Sequence, residues 1–293
     1  MKSKAASLVH DTFAELGEGP SWDERNQVLY WVDITGKKLH MYNPQAKENK
    51  TVDTGKYIGA VVPRRSGGVV MALQDGFYAY HFETGEISLI GKPEDQKPGT
   101  RFNDGKCDAA GRFWAGTMSL NGTPEMGALY CLDTDFSIRK VIDNVSVSNG
   151  ITWSPDHKKM YYIDSDTKQV VAYDFDLETA AISNRKVIID LTDGNVFPDG
   201  MTSDEEGMLW IALWDGHSVT RWNPNTGERL ETVHVPAARS SSCIFGGPAL
   251  NELYITSARI GLNEEALSKQ PSAGGLFTAR MDVKGLPTYA FGG

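Results

Sequence analysis

SNGITWSPDHKKMYYID (148–164) and PDGMTSDEEGMLWIAL (198–213) differ at most positions but follow one plan. In each, an acid or amide precedes Gly, a short strand follows, an Asp-containing turn reverses the chain, and a second strand rich in aromatic and β-branched residues closes the unit. GEGPSWDERNQVLYWVD (17–33) and NDGKCDAAGRFWAGTM (103–118) follow it too. The glycines that mark the phase are Gly19, Gly105, Gly150 and Gly200, separated by 86, 45 and 50 residues. YIGAVVPRRSGGVVMAL (57–73) fills the long interval near Gly59, and SSCIFGGPALNELYITS (241–257) adds a sixth unit near Cys243. The apolar runs are four to six residues long, too short for helices, and Asn263 to Lys269 offers at most a turn or two of helix. A period of about 40 to 50 residues built from short strands is the sign of a β-propeller.

The expected fold is therefore all-β: a six-bladed β-propeller with four-stranded blades around a central channel. It forms a single domain over 1–293, with about 7–293 ordered and the repeat running from 15 to 293. Turn sequences such as NPQAKE and NPNTGE separate the outer strands of the blades. Ser7 to Phe13 would supply an outer strand to the last blade and close the ring, removing open sheet edges. Two stacked β-sandwiches would not require the repeat to persist through both halves.

Composition narrows the function. The chain has a formal charge of −9 and 40% hydrophobic residues, and such an acidic balance disfavours a nucleic-acid partner. No window is apolar over the roughly 18 residues a membrane span needs, and the opening MKSKAASLVHDTFAEL lacks the apolar core of a signal peptide. Cys107, Cys131 and Cys243 are odd in number and widely spaced, which reads as free thiols in a reducing, cytoplasmic setting.

In a propeller, equivalent positions of every blade sit at one radius and height. The residues just before the phase-marking glycines are Glu18, Asp104, Asn149 and Asp199, with Ile58 and Cys243 in the two weaker units and Asn103 one step before Asp104. Carboxylates converging on one axis repel and are partly desolvated, and a divalent cation relieves both costs. All the donors are oxygens, which suits Ca²⁺, Mg²⁺ or Mn²⁺, with Zn²⁺ as a further candidate. The simpler alternative is that Asp and Asn stand before Gly because they favour turns.

Other motifs fail on spacing. Gly99 to Lys106 has one residue too many for a phosphate-binding loop, and Cys107 replaces the required Ser or Thr. DFDLE (174–178) lacks the glycine of a calcium loop and reads as a strand entering a turn. His217 reads as a turn residue. The aromatics Trp31, Trp114, Tyr162, Trp210 and Tyr254 recur once per unit and read as blade core.

LGEGPSW, RFNDGK, SNGITWS, PDGM and SAGGLF, in this order from about Glu15 to Gly293, resemble the gluconolactonase and regucalcin (senescence marker protein) family. The resemblance implies one divalent metal in the channel held by Glu18, Asn149 and Asp199, and a substrate site at Arg101 and Asn103. Members of that family carry a longer loop after the GTM segment with a substrate-touching carboxylate. Here SLNGTPEMG (119–127) is short and Asn121 stands in that place, with Glu125 nearby.

The implied activity is divalent-metal-dependent hydrolysis of a sugar lactone such as D-glucono-1,5-lactone to the aldonic acid. The metal would polarise the carbonyl, and Asp199 would be both ligand and general base for the attacking water. Two other readings share these residues: a calcium-binding regulatory protein of the regucalcin type, and a promiscuous metal-dependent esterase or phosphotriesterase. The expected partner is a small-molecule lactone, not nucleic acid or membrane, with the chain a monomer or weak dimer.

Overall fold

The computed structural model describes residues 2–93 and 95–293, and within them six sheets form a ring. The innermost strands of blades one to six are Gly17–Asp23, Ile58–Pro63, Thr100–Cys107, Ser148–Trp153, Phe197–Ser203 and Ser240–Gly246. Each innermost strand contacts those of the two adjacent blades. From there each blade runs outward as antiparallel hairpins in chain order. The fold is a six-bladed β-propeller.

Strand alternation explains how the blades stack. In Val28–Asp33, the second strand of blade one, Val28, Tyr30 and Val32 pack toward blade two, while Leu29 and Trp31 pack toward blade six. Side chains of a strand point alternately to its two faces, and both faces of a blade are covered, so the run is apolar throughout. Six apolar clusters fill the six spaces between neighbouring blades. Trp31, Trp114, Tyr162, Trp210 and Tyr254 are all buried in them, as the repeat predicts.

The ring is closed by Ser7–His10, which pairs antiparallel with Leu276–Arg280 at the outer edge of blade six. A second strand, Lys2–Ala5, joins blade five in parallel alongside Arg229–His234. That strand was not foreseen, because KSKA is mostly exposed and shows no alternation. The short helix Glu264–Lys269 begins at an Asn263 cap, whose side chain accepts from the Ala266 amide at 2.9 Å.

Two expectations need correction. The repeat was read as running to residue 293, but blade six ends at Arg280. The remaining stretch crosses the ring on the face opposite the N-terminal ends of the innermost strands and touches all six blades. Lys284 O accepts from Glu205 N (2.9 Å), Gly285 N donates to Leu250 O (2.8 Å), and Thr288 N donates to Glu24 Oε1 (3.1 Å). Tyr289 Oη lies 3.4 Å from His157 Nε2, while Phe291 N and Gly292 N donate to Pro63 O and Gly111 O.

The second correction concerns phase. Every innermost strand carries a register shift near its start: at Glu18/Ser21, Ile58/Ala60, Phe102/Asp104, Ser148/Ile151, Pro198/Met201 and Ser240/Ser242. A bulge leaves a residue outside the ladder and re-aims its side chain. In blade three that residue is Asn103, not Asp104, and in blade six it is Ser241, not Cys243. The glycines at this level let the strands meet at the axis. A Cβ on Gly150 would lie 2.6 Å from Asp199 O, and one on Gly59 would lie 2.4 Å from the Phe102 carbonyl carbon.

Candidate active site

Two tiers of residues follow from the bulges. The lower tier is Glu18, Gly59, Asn103, Asn149, Asp199 and Ser241, one from each blade. Two residues earlier in each chain segment stand Leu16, Tyr57, Arg101, Val147, Phe197 and Arg239. Glu18, Asn103, Asn149 and Asp199 from the first tier, with Leu16, Arg101, Val147 and Phe197 from the second, line one cavity of about 250 Å³. Met118, Ser165, Asp166 and Trp214 complete it from the ends of second strands and the turn that follows one of them.

Apart from the exposed Asp166, the polar side chains are buried, and Arg101, Asn103, Asn149 and Ser165 are tied together. Arg101 Nη1 donates to Asn103 Oδ1 (2.7 Å) and to Phe102 O (3.0 Å). Asn103 Nδ2 donates to Asn149 Oδ1 (3.0 Å) and to Ser148 O (2.8 Å). Asn149 Nδ2 donates to Ser165 Oγ (2.8 Å), whose hydroxyl donates to Pro198 O (2.6 Å). Glu18 Oε2 accepts from Gly19 N at 2.9 Å. The Glu18 and Asp199 carboxyls are close enough to influence each other electrostatically, and Asp199 Oδ1 is buried without a protein donor.

Electrostatics follow from this crowding. Burial, then the nearby Asp104, pushes the Glu18 carboxyl up to about 8. Burial, then Glu18 and Asp104, holds Asp199 well above the usual carboxylate range. Burial lowers Arg101 to about 10, partly opposed by Glu18. Asp104 itself is raised by burial and accepts from Gly105 N at 2.7 Å, outside the cavity lining.

Among the described residues no group of three or more His, Cys, Asp or Glu side chains is arranged to hold a metal ion. The set here is two carboxylates and an amide, all oxygen donors from three blades. Suppressed ionisation at Glu18 and Asp199, together with the unpartnered Asp199 Oδ1, is the environment that a hard cation neutralises. The residues fit such an ion.

The structure does not bring Asn121 to the cavity. It sits on an exposed turn, and its Oδ1 accepts from Ser119 Oγ (2.6 Å) and Thr123 Oγ1 (2.9 Å). Glu125 is also exposed. Sequence reasoning missed Ser165, Phe197 and the rim residues Met118, Asp166 and Trp214. A signal existed for the rim: each stands four residues after the core aromatic of its blade, Trp114, Tyr162 or Trp210.

Comparison with known proteins places the chain in a family. The profile described as "SMP-30/Gluconolactonase/LRE-like region" matches residues 16–259. Regucalcin of Danio rerio is 45% identical over 282 residues, covering 95% of each chain. "Putative sugar lactone lactonase YvrE" of Bacillus subtilis is 40% identical over 288 residues, covering 98% of this chain and 99% of that one. The solved structure of a calcium-binding protein, regucalcin, from Agrobacterium tumefaciens superposes with a TM-score of 0.94 at 26% identity, covering 99% of this chain and 98% of that one. The chain belongs to the SMP-30/gluconolactonase/LRE-like family.

Proposed function

We propose that this protein hydrolyses a sugar lactone, such as D-glucono-1,5-lactone, to the aldonic acid with the help of one divalent cation. The observation that carries the reading is the meeting of Glu18, Asn149 and Asp199 from three blades beside Arg101 in one cavity. The lactonase name of the Bacillus subtilis relative supports the same class of reaction.

Glu18, Asn149 and Asp199 would hold the cation through oxygen atoms. When bound, it supplies Lewis acidity toward the lactone carbonyl. In the ionised form that a bound cation would favour, Asp199 would have a second role as general base: its Oδ1 has no protein donor, so it can accept the proton of the attacking water. Arg101 uses one nitrogen to hold Asn103 and Phe102 O, which leaves further N–H donors of the guanidinium fork for the substrate. Asn103 spends its amide nitrogen on Ser148 O and Asn149, so it contributes mainly by orienting Arg101 and Asn149. Burial keeps bulk water from competing for these donors.

A calcium-binding regulatory role is the second reading, favoured by the likeness to the calcium-binding protein regucalcin of Agrobacterium tumefaciens. The two separate in one experiment. The protein is stripped with chelator, reloaded in turn with Ca²⁺, Mg²⁺, Mn²⁺ or Zn²⁺, and lactone opening is followed by pH-stat alongside metal analysis. Turnover that returns with a cation supports the lactonase. Tight stoichiometric calcium binding with no turnover on any aldonolactone would replace it with the regulatory reading.

A further inference from the structure

Five residues of the cavity lining, Leu16, Met118, Val147, Phe197 and Trp214, carry no oxygen on the side chain. Asp166 also belongs to the lining, and it stands outside the hydrogen-bonded network of Arg101, Asn103, Asn149 and Ser165. It is the middle residue of the single 3-10 turn Ser165–Thr167, directly after the Ser165 whose hydroxyl receives Asn149 Nδ2. Among the described residues its exposed carboxylate has neither a hydrogen-bond donor nor an ion-pair partner. The neighbouring acids are spent. Asp164 accepts from Ser146 N and Val147 N, both at 2.9 Å, and Asp215, next to Trp214, pairs with Arg239 at 3.0 Å. What burial Asp166 has, and then Asp164, raises its carboxyl above the ordinary range, with no cation acting in the other direction.

Once Glu18 and Asp199 hold a divalent cation, Arg101 and Asp166 are the two charges of the lining left over, and they are opposite in sign. A guanidinium only donates, an ionised carboxylate only accepts, and a hydroxyl does both. The geometry points to Asp166 as the residue that selects neutral, hydroxylated lactones, by accepting a hydrogen bond from a hydroxyl of the bound sugar ring. This rests on the lactonase reading above and narrows its substrate class. A hydrogen bond to an ionised acceptor is about twice as strong as one between neutral groups. A lactone without hydroxyls takes water from the carboxylate and returns no donor. A phosphate substituent brings like charge to the same carboxylate, which rejects the wrong ligand as effectively as the hydroxyl contact holds the right one. The site therefore favours a free sugar lactone over both a bare lactone ring and a phosphorylated sugar lactone.

The test compares D-glucono-1,5-lactone, its 6-phosphate and unsubstituted δ-valerolactone on cation-loaded wild type, Asp166→Ala, Asp166→Asn and Asp166→Lys. In the wild type, kcat/KM on D-glucono-1,5-lactone should exceed that on either of the others at least tenfold. Asp166→Ala should cut the ratio of gluconolactone to δ-valerolactone at least fivefold, mainly through KM, and Asp166→Asn, which keeps an acceptor oxygen, should cut it less. Asp166→Lys should raise kcat/KM on the 6-phosphate at least tenfold. Because the carboxylate holds nothing within the fold, the urea midpoint of Asp166→Ala should match that of the wild type. Calorimetry with D-glucono-1,5-lactam and piperidin-2-one, lactams that resist hydrolysis, reads the hydroxyl contact without turnover. The sugar lactam should bind at least tenfold tighter, and Asp166→Ala should erase most of that difference. An Asp166→Ala variant that leaves the lactone and lactam ratios unchanged, or a wild type that turns over the 6-phosphate as well as the free sugar lactone, overturns the proposal. If no lactone is turned over with any cation but the lactam difference and its loss persist, the reaction assigned above fails while the hydroxyl contact of Asp166 stands.

Discussion

Asn103 Nδ2 donates to Asn149 Oδ1 across 3.0 Å, joining two neighbouring blades through residues 46 positions apart. The bond is one link in a chain with a single direction of donation. It runs from Arg101 to Asn103, then Asn149, then Ser165, and ends on Pro198 O, the residue before Asp199. Each amide is thereby fixed in one orientation, with Asn103 presenting its oxygen to Arg101 and Asn149 presenting its nitrogen to Ser165. Three blades position the candidate site through side chains that need not touch the reacting atoms.

Ser165→Ala breaks the chain at its last step. It leaves Asn149 Nδ2 and Pro198 O buried without these partners and frees the Asn149 amide to turn. Loss of such a supporting hydrogen bond typically lowers metal affinity about 10- to 100-fold, and a stability loss of roughly 1–3 kcal/mol accompanies it. Cation titration by calorimetry checks the first effect and urea unfolding the second. A purely structural role predicts the stability loss with unchanged cation affinity, and that result would remove Asn149 from the candidate ligand set.

The carboxyl pair predicts an unusual pH dependence for the cation-free protein. Glu18 rises from about 4.5 in the unfolded chain to about 8 in the fold, and Asp199 shifts in the same direction. A group raised on folding contributes its stability below its unfolded value and loses it as pH rises through its folded value. Buried His40, lowered to about 4, opposes this trend below pH 6.5, so between pH 6.5 and 8 in chelator stability should fall by about 1.4 kcal/mol per pH unit for each proton the fold retains. Asp75, depressed to about 2 chiefly by Lys56 and Lys92 against its partial burial, acts only at lower pH and leaves this window untouched. A saturating divalent cation should flatten or invert the slope. Thermal midpoints across this range, with and without cation, measure both limbs, and a flat chelator profile would contradict the raised carboxyls.

The blades were legible in the sequence because each must repeat one burial pattern, and period-two alternation around a core aromatic survives any choice among Trp and Tyr. Phase within the repeat, which fixes radius and height, also pointed Glu18, Asn149 and Asp199 toward one cavity, while their selection as a set came from the family resemblance. Ile58 and Asp104 were placed one residue off and Cys243 two, because a bulge shifts register without leaving a residue-type signature. Gly59, Gly150 and Gly200 were read only as markers of the repeat, but they serve the close approach of neighbouring innermost strands, a contact between units that no single unit displays. The stretch after Arg280 was absorbed into the repeat because its partners lie in all six blades, far away in sequence. Asp108 and Asp204 did read as turn residues, and each also receives the indole N–H of the Trp six residues later, Trp114 or Trp210.

Asn121 offers a direct check on the short turn at 119–127. Its oxygen serves the turn itself, and it lies outside the cavity lining. Asn121→Ala should leave kcat/KM on an aldonolactone within about threefold of wild type, with a stability change of roughly 0.5–1.5 kcal/mol from the lost turn bonds. Arg101→Ala should instead raise KM at least tenfold on the same substrate. If Asn121→Ala costs as much as Arg101→Ala, the turn folds over the cavity when substrate binds.

Phe291 tests whether the stretch crossing the far face holds the ring together. Its ring is fully buried in the cluster between blades two and three, beside Phe77, Phe102 and Phe113. Its backbone donates to Pro63 O and accepts from Arg65 N, so the segment is pinned on both sides of that side chain. Phe291→Ala removes a large apolar group from a site that blades two and three cannot collapse to fill, at a cost of about 3–5 kcal/mol. The candidate active site lies at the other end of the innermost strands and uses none of these contacts. The variant should therefore unfold at clearly lower urea while its kcat per folded molecule stays near wild type. A small stability change would mean that the ring is closed by Ser7–His10 alone and that the crossing segment merely rests on it.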